Sequence, residues 1–124
     1  MHKFLGLRKI AIVTTNFSRM NSETLQTLIA TETAVAVYFS APNCGVCEAL
    51  RPKVEEMLTS QFPAIKYVHV QIEKAPDISG TFGVFSAPTL LVFFEGKEFL
   101  RKVRLMSIPE LANIISRPYN MLIG

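Results

Sequence analysis

The stretch Ala34-Val35-Ala36-Val37-Tyr38-Phe39-Ser40-Ala41-Pro42-Asn43-Cys44-Gly45-Val46-Cys47 changes character twice. Ala34 to Ser40 is a continuous apolar run rich in β-formers, which predicts a strand buried on both faces of a sheet. From Gly45 the period becomes helical, with Leu50, Val54, Met57, Leu58 and Gln61 following 3.6 residues per turn and Cys47 on the same stripe. Pro52 falls inside this helix, removes one backbone hydrogen bond and predicts a kink. The two cysteines therefore sit where a buried strand hands over to a helix.

Outward from that join, the pattern alternates between strand and helix. Lys9 to Thr15 reads as a short first strand through Ile10, Ile12 and Val13. Asn21 and Ser22 can cap a helix that places Leu25, Leu28 and Ile29 on one face. Downstream, Lys66 to Ile72 reads as a strand and Pro76 to Gly83 as a short helical turn. Thr89 to Phe94 is the strongest strand signal, and Glu95-Gly96-Lys97 turns it into a second strand, Glu98 to Arg104. Ser107-Ile108-Pro109-Glu110 has a capping-box pattern and opens a last helix carrying Leu111, Ile114 and Ile115. Pro118 is expected to break that helix, leaving residues 116–124 as a tail. The strand-helix-strand unit implies a parallel pair with a right-handed crossover, and the late strands a hairpin. The expectation is an α/β single domain over residues 1–124, with a mixed central sheet and helices on both faces.

Composition narrows the function. The 124 residues are 49% hydrophobic and 19% charged, within the range of globular proteins. A formal charge of +3, with no basic run and no alternation of basic and aromatic residues, argues against a nucleic-acid partner. No stretch reaches the roughly 18 to 20 apolar residues of a membrane helix. Arg8 and Lys9 split the apolar N-terminus and no small-residue cleavage site follows, so a cytoplasmic protein with no membrane partner is expected, and a monomer is taken as the default because the sequence carries no sign of oligomerisation.

Two cysteines cannot form a disulfide framework, so their spacing carries the information. Cys44 falls at the helix start, where unpaired N–H groups and the positive dipole end favour a thiolate. Cys47 lies one turn further in, more buried but close enough to bond to Cys44. Attack by Cys44 on a substrate disulfide gives a mixed disulfide, which Cys47 then resolves. Gly45 lets a substrate backbone approach. Two bland readings compete. A zinc half-site uses the same spacing, but His2 and His69 lack the spacing of a second half-site. Two buried structural cysteines are the other. A position between strand and helix favours redox chemistry.

The sequence resembles the thioredoxin family from about Lys9 to Ile115. Val37 to Cys47 resembles that family's strand and active-site loop, and Pro52 falls where its active-site helix kinks. Phe82-Gly83-Val84 and Ser86-Ala87-Pro88-Thr89-Leu90 resemble the stretch leading into its cis-proline, and Glu95-Gly96-Lys97 its hairpin turn. The resemblance implies a thioredoxin-like fold and a protein thiol-disulfide oxidoreductase with catalytic Cys44 and Cys47. Its partners would be protein disulfides and an upstream reductase, and it would need no cofactor beyond its own redox-active disulfide. It also implies that Pro88 is cis and faces the cysteine pair, so that Asn43, Gly45, Val46, Ala87 and Pro88 contact the substrate.

The departures are specific. Asn43 replaces the usual tryptophan, Val46 the usual proline between the cysteines, and Tyr38 a buried aspartate that assists proton transfer at the second cysteine. Glu48 stands where a basic residue is common, and Arg104 where glycine often is. Asn43, Val46, Tyr38 and Glu48 predict a less reducing couple than typical thioredoxin, and Arg104 a narrower substrate groove or a preference for acidic partners. Asn43, Val46 and Tyr38 also motivate the alternative of an adaptor or redox-sensing binding module with weak catalysis.

Overall fold

The computed structural model describes residues 20–124, so the strand expected over Lys9 to Thr15 lies outside the described residues. Those described run α1 (Ser22–Thr31), β1 (Ala34–Ser40), α2 (Gly45–Gln61), β2 (Lys66–Gln71), a 3-10 turn (Ile72–Lys74), α3 (Pro76–Phe82), β3 (Thr89–Phe94), β4 (Lys97–Val103) and α4 (Ile108–Leu122). The sheet order is β2-β1-β3-β4. β1 pairs parallel with β2 and antiparallel with β3, and β3 pairs antiparallel with β4. The mixed sheet expected from the sequence is present.

All seven residues of β1 are buried, because it is flanked by strands on both edges and helices on both faces. Its side chains alternate between two cores, as a pleated strand requires. Ala34, Ala36 and Tyr38 join Val54, Met57 and Leu58 of α2 and Leu111, Ile115 and Tyr119 of α4. Val35, Val37 and Phe39 join Leu25 and Ile29 of α1 and Ile78 of α3. A slip of one residue would exchange the two sets, so packing on both faces fixes the register.

Local chemistry sets the boundaries. Asn21 caps α1: its Oδ1 accepts from the Thr24 N–H at 2.8 Å, and Thr24 Oγ1 accepts from the Asn21 N–H at 2.9 Å. Glu95 and Gly96, with φ of 52° and 82°, form the two-residue β3–β4 turn. Two consecutive left-handed residues give the twist a tight hairpin needs. Ser107 Oγ accepts the Glu110 N–H at 3.3 Å and starts α4.

One expectation is corrected here. Pro118 does not end the last helix, since α4 continues to Leu122 with Pro118 inside it. Proline there forfeits one backbone hydrogen bond, but the next residue holds the turn in place. The Tyr119 ring packs edge-on against Phe62 with centroids 5.0 Å apart, and its hydroxyl accepts from the Ala64 N–H at 3.1 Å. Most of the supposed tail is core-bearing helix.

Candidate active site

Three strand ends meet at one edge of the sheet. Phe39 is paired with Thr89, and Thr89 with Val103. The loop carrying the cysteines leaves β1 at this edge, Pro88 enters β3 there, and Arg104 leaves β4 there. The Arg104 N–H donates to the Pro88 carbonyl at 2.7 Å. The Ala87–Pro88 bond is cis, as the resemblance implied.

Cys44 is the N-cap of α2 and forms a disulfide with Cys47, with Cα atoms 5.3 Å apart. Its Sγ also accepts the Cys47 N–H at 3.1 Å, the bond a serine or aspartate cap would make. Burial is unequal: Cys44 is partly exposed, whereas Cys47 is 1% exposed. One sulfur is thus accessible and seated on the helix's unpaired N–H groups, and the other is sealed behind it.

Asn43, just before Cys44, has φ 57°, a left-handed conformation that asparagine tolerates far better than large side chains. The residue that departs from the family pattern therefore suits its backbone. A Cβ added at Gly45 would meet nothing within 4 Å, so glycine there serves no packing need and leaves open space beside the disulfide. Val46 in the first turn of α2, and Phe85 and Leu105 on the loops around this edge, are large apolar side chains left 60%, 80% and 89% exposed.

Beneath the disulfide lies a polar group largely invisible in the sequence. Tyr38 is fully buried, and its hydroxyl donates to the Cys47 carbonyl at 3.0 Å. Burial, partly offset by Arg51 and reinforced by Glu48 and Glu55, pushes its phenol up to about 12. Tyr38 is therefore a fixed donor and no proton acceptor at neutral pH. Tyr67 donates to Glu55 Oε2 at 2.7 Å, and Arg51 lies 3.5 Å from the same carboxylate and 4.0 Å from Glu48. Burial and the bond to Glu55 raise the Tyr67 phenol. His69 Nε2 and Ser40 Oγ lie 2.7 Å apart. Burial first, and then the Arg51 charge, lower the imidazole from its ordinary value.

Sequence reasoning weighed His69 only as a metal ligand and missed this arrangement. The available signal was its spacing: Tyr67 and His69 alternate with the inward Val68 and Val70, so they share the face of Tyr38. Among the described residues, no group of three or more His, Cys, Asp and Glu could hold a metal ion.

Residues 16–117 match the family model described as Thioredoxin. A thioredoxin-like protein, YdfQ, of Bacillus subtilis is 38% identical over 71% of this chain and 78% of its own. A thioredoxin of Chlamydia muridarum is 39% identical over 67% of this chain and 80% of its own. Among solved structures, an N21Q mutant thioredoxin from Halobacterium salinarum superposes with a TM-score of 0.69 at 25% identity, covering 78% of this chain and 84% of that one.

Proposed function

Because this chain belongs to the thioredoxin family and is a protein-disulfide oxidoreductase, we propose that Cys44 is its nucleophile and Cys47 its resolving thiol. The observation that carries this assignment is the pairing of a partly exposed N-cap sulfur with a sealed partner one helical turn inside. In the reduced protein, the Cys44 thiolate attacks one sulfur of a substrate disulfide, and the other substrate sulfur leaves as a thiolate and is protonated. The Cys47 thiolate then attacks Cys44 Sγ and expels the second substrate sulfur. Two electrons pass to the substrate, and the Cys44–Cys47 disulfide remains for an upstream reductase to reduce. The helix N-terminus supports negative charge on Cys44 in the first step.

Asn43, Gly45, Val46, Ala87 and Pro88 form the substrate surface. An extended peptide lies across the open space at Gly45 and beside the Ala87 backbone as an added strand. The exposed Val46, Phe85 and Leu105 give it apolar contacts, which favours protein over small-molecule disulfides. We place the protein in the cytoplasm as a reductant, because a reducing compartment keeps such thiols reduced. The chain acts as a single domain.

We further propose that the couple is less reducing than typical thioredoxin, on the strength of Val46 and Tyr38. The test is insulin reduction together with equilibration against glutathione. Wild type should reduce insulin and Cys44→Ala should fall to background. Val46→Pro should move the potential downward by about 30 mV or more, a tenfold change for two electrons. Full activity in Cys44→Ala would overturn the site assignment. A wild-type potential at or below that of thioredoxin would overturn the redox assignment. A wild type without activity would favour the binding-module alternative.

A further inference from the structure

Arg101, Lys102 and Arg104 lie close together at the end of β4, and the fold treats them differently. Arg101 Nε donates to Glu98 Oε2 at 2.8 Å, and Lys102 Nζ lies 3.8 Å from Glu110 Oε2. Arg104 is exposed and, among the described residues, its side chain makes no hydrogen bond or ion pair. Of the three cations, the unpaired one is the one that stands at the disulfide edge of the sheet.

Its backbone, by contrast, is pinned. The Arg104 N–H donates to the Pro88 carbonyl at 2.7 Å, and the Leu105 N–H donates to the Val103 carbonyl at 2.9 Å, which makes a three-residue turn centred on Arg104. Arg104 is therefore anchored beside the Pro88 stretch of the substrate surface. It sits there at φ 69°, a left-handed conformation that strains a large side chain. Nothing in the fold accounts for an arginine at this position. What it adds to the edge is a free charge.

We propose that Arg104 is a specificity-determining residue that recognises a carboxylate side chain on the substrate, so that the protein favours protein disulfides flanked by acidic residues. This rests on reading the Cys44–Cys47 edge as the site of exchange.

A guanidinium presents a planar fork that matches a carboxylate with two parallel hydrogen bonds, and it stays charged at any physiological pH. Holding its backbone in place beforehand reduces what must be ordered on binding. The charges on the other side of the disulfide point the same way. Glu48, in the first turn of α2, has a side chain 71% exposed, and the Arg51 that approaches it at 4.0 Å is shared with Glu55 at 3.5 Å. A substrate carboxylate over the start of α2 meets Glu48, whereas one over Pro88 meets the unpaired guanidinium. The preference therefore belongs to one side of the substrate cysteine.

The probe is a set of fluorogenic peptides, blocked at both ends, in which a disulfide links a constant strand to a strand bearing Glu, Gln or Lys at one position. That position is scanned along both sides of the cysteine. Pre-reduced protein is mixed with each peptide in stopped flow, and second-order rates are compared as Glu-to-Gln and Lys-to-Gln ratios, so that an effect common to all peptides cancels. On one side of the cysteine, wild type should favour Glu over Gln by about threefold at low salt, the size of an exposed ion pair. The preference should fade in about 1 M salt, where such pairs are screened. Arg104→Gln should bring the ratio to about one, and Arg104→Glu should invert it in favour of Lys. Arg104→Gly removes both the charge and the backbone strain and should behave as Arg104→Gln does, with circular dichroism confirming the fold of each variant. A wild-type ratio near one at every position overturns the proposal, as does a preference for Glu that persists in Arg104→Gln. Equal acceleration of all peptides in Arg104→Gly, with no preference in wild type, would overturn it in favour of an arginine that merely narrows the groove. Undiminished reduction by Cys44→Ala would instead overturn the reading of the exchange site, and the proposal with it.

Discussion

At the residue scale, each departure from the family pattern has its own physical setting. Asn43 and Arg104 both occupy left-handed backbone, at φ 57° and 69°. Asparagine is suited to such a position and arginine is not, which accounts for glycine being common at the latter. Tyr38 exchanges a carboxylate for a phenol that holds the Cys47 carbonyl. Its proton is held to about 12 in the fold, chiefly by burial, against an ordinary 10. As pH rises, the unfolded chain therefore loses that proton first. The stability linked to it is complete below about pH 10 and is lost between there and about pH 12. Tyr38→Phe should cost about 1 kcal/mol at neutral pH, the net worth of one hydrogen bond, and should soften the alkaline decline. Urea unfolding from pH 7 to 12 measures both, and a decline as steep in the variant as in wild type would refute the assignment. Tyr67 supplies a further part of the decline, since its phenol is also raised.

At the element scale, legibility followed how local the cause was. The apolar run of β1, the stripe of α2, the Asn21 cap and the Glu95-Gly96 turn each carry their signal within a few residues, and each stands near where the sequence placed it. The cysteines were legible for the same reason. Pro118 misled because the local rule is sound and the overriding contact is distant: Tyr119 reaches Phe62 and Ala64 at the far end of α2. Likewise the bond from Tyr38 to Cys47, and the pairing of Ser40 with His69, depend on register and helix placement that no single segment encodes. Tyr119→Ala should therefore destabilise the protein by about 3 kcal/mol, as other large-to-small aromatic truncations do. Measured in urea, a loss below about 0.5 kcal/mol, the usual ceiling for surface changes, would mean that the last turns of α4 are dispensable.

At the scale of the whole molecule, two cores grip the sheet and neither includes the disulfide. The redox pair sits at the edge of a structure already complete, so the thioredoxin fold should outlast its reduction. Opening a loop this short should lower stability by roughly 2 kcal/mol on the chain-entropy view. Circular dichroism and urea unfolding with and without dithiothreitol test this, and loss of cooperative unfolding on reduction would contradict it. The same separation lets Cys44 and Cys47 cycle while α2 and the sheet stay in place to position them.

The central claim is the division of labour between an accessible and a sealed sulfur, and trapping with Cys47→Ser tests it most directly. Incubated with oxidised insulin, that variant should accumulate a mixed disulfide, and mass spectrometry of the peptide containing Cys44 should locate the link at Cys44 Sγ. Cys44→Ser should accumulate none, because Cys47 is shut away from the substrate. No adduct through Cys44, or an equal yield through Cys47 in Cys44→Ser, would contradict the account.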